Sequence, residues 1–257
     1  YSGSWDRTIQ VWDLDTHKYV ASLEGHTSGV RCLTVIENKL YSGTYDRTIR
    51  VLDTDTHQCI TNLEGHNAIC LIVVGNKVYS GSYDSTIRVW DTGTYEHVTT
   101  LQGHTSWVTC LIVIGNNLYS GSLDRTIRVW DTDTYEHITT LRGHTARVMC
   151  LTVGGNKLYS GGAGLVGSVD NTIRVWDTET YEHITTLQGH ISHVNCLTVV
   201  GNKLYSGSHD KTIRVWDTNT YQLITTLEGH TKEVNCLTIL GNKVYSGSRD
   251  MMIRVWI

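Results

Sequence analysis

Apolar and polar residues alternate along this chain in short runs, with turn-forming residues between them. In one stretch, Trp107–Ile114 is a β-rich run closed by a Gly115-Asn116 turn. Leu118–Ser122 alternates apolar with polar, a tight turn falls at Asp124-Arg125, and Thr126–Trp130 follows as a third run. Ile138–Leu141 is a fourth, after a turn at Asp131–Thr134. A side-chain period of two between turn residues predicts strands, and no segment offers an apolar stripe at helical spacing. The fold class expected is all-β.

The four-strand pattern is one unit used repeatedly. Tyr-Ser begins at Tyr1, Tyr41, Tyr79, Tyr119, Tyr159, Tyr205 and Tyr245, with spacings of 40, 38, 40, 40, 46 and 40 residues. A Trp follows at Trp12, Trp90, Trp130, Trp176, Trp216 and Trp256, and Leu52 takes its place once. Gly-His precedes the next unit at His26, His66, His104, His144, His190 and His230. A period in this range marks a solenoid, a propeller or an array.

Gly-His, about thirty residues, then Thr-Ile-Arg-Val-Trp-Asp resembles the WD repeat, and the resemblance covers the whole chain. It implies a β-propeller, most simply of seven blades, each a four-stranded antiparallel sheet with strands a to d from the centre outward. The single domain 1–257 then divides into blades at about 1–24, 25–64, 65–102, 103–142, 143–188, 189–228 and 229–257. On this register Tyr1 starts in a strand b and Ile257 ends in a strand c, so the seam is incomplete; a six-bladed ring with a surplus hairpin is the alternative.

Ser, His and Asp recur at fixed offsets beside the Trp. The sets are His66/Ser80/Asp84/Trp90, His104/Ser120/Asp124/Trp130, His144/Ser160/Asp170/Trp176, His190/Ser206/Asp210/Trp216 and His230/Ser246/Asp250/Trp256. A nucleophilic triad occurs once per domain beside an oxyanion hole, and no Gly-x-Ser-x-Gly elbow is present, so no catalytic residue and no enzyme activity are expected. The resemblance implies a structural chain of hydrogen bonds from Trp through Ser and His to Asp, since a buried imidazole and carboxylate need partners.

Composition narrows the remaining classes. A net charge of −4 argues against a nucleic-acid binder, which needs a basic surface. The longest apolar runs, such as Cys70–Val74, are far below the roughly 20 residues of a membrane span, and no signal peptide is visible. Six of the seven Cys repeat at one position (Cys32, Cys70, Cys110, Cys150, Cys196, Cys236), too far apart to pair; they are expected to be buried thiols. Such thiols fit a reducing compartment, the cytoplasm or nucleus. His97, His137 and His183 also repeat one position, and copies on neighbouring blades diverge, so neither a metal nor a cofactor is expected. Pro and Phe are absent altogether: many WD repeats carry Phe-Ser-Pro-Asp-Gly at the a–b turn, where this chain repeats Val-Gly-Asn-Lys or a close relative.

Function is expected where the copies differ. Before the repeated Asp stand Trp5, Tyr45, Tyr83, Leu123, Val169, His209 and Arg249, and after Gly-His come Arg31, Trp107, Arg147 and His193. In a propeller both sets fall on the end bearing the d–a and b–c loops. Tyr, Trp and Arg are enriched at interface hot spots, so this face is expected to bind a partner protein or peptide. An insertion, Gly162–Gly167, lengthens one loop on this face and reads either as a lip carrying Leu165 and Val166 as contacts or as a tolerated loop without function. The chain is similar in pattern to the propellers of F-box/WD-repeat and RING/WD-repeat ubiquitin ligases. In F-box members, Arg residues at two such positions bind phosphorylated degrons; here only Arg31 and Arg249 match, with Arg147 displaced by two positions. A second class, an assembly module pairing through its seam strands, is the alternative to a monomeric scaffold.

Overall fold

The structure is a computed structural model that describes residues 1–13, 15–16, 18–164, 170–241 and 243–256. Val169, with Leu165 and Val166 of the lip, lies outside the described residues. Every regular element among the described residues is a strand.

The strands fall in two compact units, Tyr1–Val113 with Thr132–Glu136, and Ile114–Asp131 with His137–Ile257. In the first unit β1 (Ser2–Gly3), β2 (Ile9–Trp12) and β3 (Tyr19–Leu23) form one sheet in that order. β4 (Val30–Ile36), β5 (Lys39–Thr44), β6 (Thr48–Asp53) and β7 (Cys59–Glu64) form the next. β8 (Ala68–Val74), β9 (Lys77–Ser82), β10 (Ile87–Asp91) and β11 (His97–Leu101) form another, and β12 (Val108–Ile114) follows.

In the second unit β13 (Asn117–Ser122), β14 (Thr126–Asp131) and β15 (His137–Arg142) pair in order. β16 (Arg147–Gly154), β17 (Lys157–Ala163), β18 (Ile173–Asp177) and β19 (His183–Leu187) make a four-stranded sheet. β20 (Val194–Val200), β21 (Lys203–Ser208), β22 (Ile213–Asp217) and β23 (Leu223–Leu227) make a second. The last sheet holds β24 (Val234–Leu240), β25 (Lys243–Ser248) and β26 (Ile253–Trp256). All pairings within these sheets are antiparallel.

Alternation explains each sheet's core. Along β10, Ile87 and Val89 are buried with the half-buried Arg88 between them, as a period of two requires, and Trp90 is buried as well. The strands β5, β9, β13 and β17 are buried on both faces along nearly their whole length. A β-carbon on Gly81 would lie 2.6 Å from Cys70 Sγ and 2.7 Å from Val108, and one on Gly207 would meet Cys196 and Val234 at 2.6 and 2.7 Å. The repeated Cys, Gly and Val are therefore one contact, in which Gly makes room for the valine of the following sheet. Burial pushes the Cys32 thiol up to about 12 and that of Cys196 well above its usual value. Of the six repeated cysteines Cys150 is buried, Cys32, Cys70, Cys110 and Cys196 are half-buried, and Cys236, on the last sheet, is exposed, so the expectation of a buried thiol fails there.

The strands β4, β8, β16, β20 and β24 are each bulged near their start. In β4, Val30 pairs with Thr44 and Cys32 with Gly43, which leaves Arg31 outside the ladder at the loop end of the strand.

Candidate functional site

Each loop end is built on one aspartate. In the hairpin joining β5 to β6, Asp46 Oδ1 accepts from the Thr48 amide (3.0 Å) and hydroxyl (2.5 Å), while Thr44 Oγ1 accepts the Asp46 amide. Arg47 takes φ +67°, and Tyr45 is left at the tip. Asp46 Oδ2 accepts from the Thr27 amide and from His26 Nδ1 at 3.1 Å, tying this hairpin to the loop that enters β4. Burial opposes ionisation of Asp46, but the hydrogen bonds from Thr44, Thr48, Thr27 and His26 outweigh it and hold the carboxyl below the usual range.

The same arrangement recurs in the second unit. His144, His190 and His230 approach Asp170, Asp210 and Asp250 at 2.8, 2.7 and 2.8 Å and reach Ser160, Ser206 and Ser246 through Nε2. Trp176, Trp216 and Trp256 donate to those serines at 2.9, 2.9 and 2.8 Å. Trp130 donates to Ser120 and Asp124 accepts from Thr126; His104 is buried. Trp90 donates to Ser80, but Asp84 stands 3.6 Å from His66 Nε2 with its carboxylate half-exposed. Leu52, buried where Trp stands elsewhere, supplies no indole donor to Ser42. Every serine of these sets is fully buried and hydrogen-bonded, so none presents a nucleophile to a substrate.

Because the aspartate ties two loops together, the residues beside it become neighbours. The His209 amide donates to the His193 carbonyl (2.9 Å), and the Arg249 amide to that of Glu233 (3.0 Å). Side chains follow: His193 and His209 stack with centroids 4.8 Å apart, and Arg249 Nη1 meets Glu233 Oε1 at 3.3 Å. Burial, with His209 and Arg147 nearby, lowers the affinity of His193 for a proton.

In the first unit the variable residues make a continuous row. Ring centroids of Trp5 and Tyr45 are 5.9 Å apart, those of Tyr45 and Tyr83 4.6 Å, and those of Tyr83 and Trp107 4.0 Å. The Arg31 guanidinium lies 5.0 Å from the Trp5 ring and 5.2 Å from that of Tyr45. No carboxylate among the described residues pairs with it. Gly29 lets Trp5 settle: a β-carbon there would sit 2.9 Å from the indole. Trp5 is 68% exposed and Trp107 43%.

The expected site residues thus divide. Trp5, Arg31, Tyr45, Tyr83 and Trp107 come together; His193 and His209 form a pair; Leu123 and Arg147 are half-buried. Glu233 and Gly29 also stand among the positions that vary after Gly-His, but nothing in the sequence marked either as a site residue: Glu233 acts by holding Arg249, and Gly29 by making room for Trp5. His97, His137 and His183 each bond a threonine three residues on and face their own Trp at 5.3 Å, so they do not converge. Among the described residues no cluster of His, Cys, Asp and Glu has a metal-binding arrangement.

The profile of the family described as WD domain, G-beta repeat matches residues 1–13, 17–53, 57–91, 95–131, 135–177, 181–217 and 221–256. The chain belongs to the WD-repeat family. WD-repeat propellers are seven-bladed assemblies of four-stranded antiparallel sheets that typically serve as protein-interaction scaffolds and are generally non-enzymatic; this chain has that fold class. The crystal structure of a computationally designed protein, Ika8, is similar over 99% of this chain and 79% of its own, at 36% identity and a TM-score of 0.87. A stretch of 39 residues is 46% identical to an uncharacterized WD repeat-containing protein of Schizosaccharomyces pombe, spanning 15% of this chain and 11% of that relative's length.

Proposed function

We propose that this WD-repeat chain is a non-enzymatic scaffold that docks a partner protein or peptide on its d–a and b–c loops, with Trp5, Arg31, Tyr45, Tyr83 and Trp107 as the anchor. The observation that carries this reading is the aromatic row itself. Four rings in succession, two of them exposed at the ends, are a large, rigid contact area of the residue types that dominate hot spots. Stacking on two ring faces leaves the edge of the Arg31 guanidinium open to an acceptor on the partner. The reduced thiols fit a cytoplasmic or nuclear setting.

Panning a random-peptide display library on the purified chain tests it. Enriched peptides are expected to lose affinity at least about tenfold with Tyr83→Ala or Trp107→Ala at unchanged melting temperature. Equal binding to wild type and both variants would sink the reading.

A second reading, a phosphopeptide receptor of a ubiquitin ligase, draws on Arg31 alone, because Glu233 already engages Arg249. Equal affinity for phosphorylated and unphosphorylated forms of one enriched peptide excludes it.

A further inference from the structure

The loop that enters β8 is cut short. Three residues lie between His66 and Cys70, where five lie between His26 and Cys32 and between His190 and Cys196. In the longer loops the first residue closes over the aspartate. The amides of Thr27, Thr145, Ile191 and Thr231 donate to Oδ2 of Asp46, Asp170, Asp210 and Asp250, and a histidine Nδ1 meets the same oxygen. Those four aspartate side chains are 9%, 2%, 2% and 5% exposed, whereas that of Asp84 is 46% exposed.

The notch leaves acceptors without donors. The Thr86 amide and hydroxyl both donate to Asp84 Oδ1, and His66 Nε2 approaches that oxygen too, so Oδ2 holds neither a ring nitrogen nor a loop amide. Asn67, left in the shortened loop beside His66, keeps its Oδ1 buried without a partner. Burial opposes ionisation of Asp84, but the Thr86 hydrogen bonds outweigh it and hold the carboxyl below its usual range. His66, pushed down to about 4, is uncharged at neutral pH, and no other described cation forms an ion pair with Asp84. An uncompensated negative charge thus sits within the aromatic row, directly after Tyr83, whose ring stands 4.6 Å from that of Tyr45 and 4.0 Å from that of Trp107.

We infer that this notch receives a lysine side chain of the docked partner, with the ammonium donating to Asp84 Oδ2 and the methylenes lying along the Tyr83 ring. The inference rests on the docking reading above and adds the chemistry of one partner residue. The ammonium takes the place of the loop amide that the shortened loop lacks. Lysine fits better than arginine because a guanidinium binds a carboxylate through both oxygens, and Thr86 already occupies one of them. An ammonium carries three donors, and the Asn67 amide, turned about its broad last torsion, brings a second acceptor to it. The apolar stem of lysine is suited to the aromatic wall.

The test pans a random-peptide library on the 257-residue chain and, in parallel, on Asp84→Asn. Asparagine retains an oxygen for Thr86, so the variant should stay folded, as circular dichroism reports. Peptides from the wild-type pool are expected to share a lysine at one aligned position, and those from the Asp84→Asn pool to lack it. In a synthetic peptide from the wild-type pool, norleucine in place of that lysine should weaken binding at least about tenfold on the wild-type chain and less than about twofold on Asp84→Asn. The inference is overturned if peptides that lose affinity with Trp107→Ala carry no shared lysine, or if norleucine costs the same on both chains; the docking reading then still stands. Peptides indifferent to Tyr83→Ala and Trp107→Ala would remove the docking reading and this inference together.

Discussion

His66 meets Ser80 through Nδ1, at 2.7 Å, whereas His26, His144, His190 and His230 meet their serines through Nε2. The cause is a shortened loop: four positions separate His66 from Cys70, and six separate His26 from Cys32. Without the longer loop no described amide of the segment entering β8 reaches Asp84 as the Thr27 amide reaches Asp46, and the freed Nε2 faces Thr86 Oγ1 at 3.2 Å.

This histidine makes stability depend on pH. Burial pushes the His66 imidazole down from 6.5 to about 4, with Asp84 opposing and Arg88 assisting. The unfolded chain takes up a proton first, so stability falls as pH drops from about 6.5 to about 4 and this contribution is fully lost below that, a loss on the order of 3 kcal/mol. Urea unfolding at stepped pH should give a shallower dependence over this window in His66→Gln than in wild type.

Asp210→Ala should destabilise by about 2–3 kcal/mol, because His190 Nδ1 and the Ile191 amide both lose their acceptor. Asp84→Ala, with its carboxylate half-exposed and 3.6 Å from its histidine, should cost about 1 kcal/mol. Equal losses for the two in denaturant titrations would contradict the geometry.

Glu37→Gly should stabilise by about 0.5–1 kcal/mol. Glu37 holds φ +51° in the turn between β4 and β5, where Gly75, Gly115, Gly155, Gly201 and Gly241 adopt +52° to +61° at the matching place. A rise in melting temperature is the readout.

Thiol labelling should be selective. Cys59 is exposed and should react quickly with a thiol-specific reagent, while Cys32 and Cys196, whose thiolates burial disfavours, should react only on unfolding. Mass spectrometry of the labelled native chain identifies the sites.

Much of this was legible in the chain because each unit repeats the same physical solution. The period-two runs, the turn residues and the recurrence of Trp, Ser, His and Asp carry the strands and their hydrogen-bonded ends. The aromatic row was legible only as scattered differences: Trp5, Tyr45, Tyr83 and Trp107 lie some forty residues apart, or less, and nothing local says that their rings touch. Arg31 and Arg249 read alike as candidate anion binders, yet one stacks between rings and the other is held by Glu233.

The sequence by itself determined the all-β repeat, its strand order and the residues that must be satisfied inside it, because alternation and turn chemistry act between near neighbours. Only the tertiary structure decided which nitrogen of His66 meets its serine, which varying residues form one surface, and that Arg249 is held by Glu233. Those depend on loop length and on contacts between repeats distant in sequence, where a difference of two residues reorients a side chain without changing the pattern.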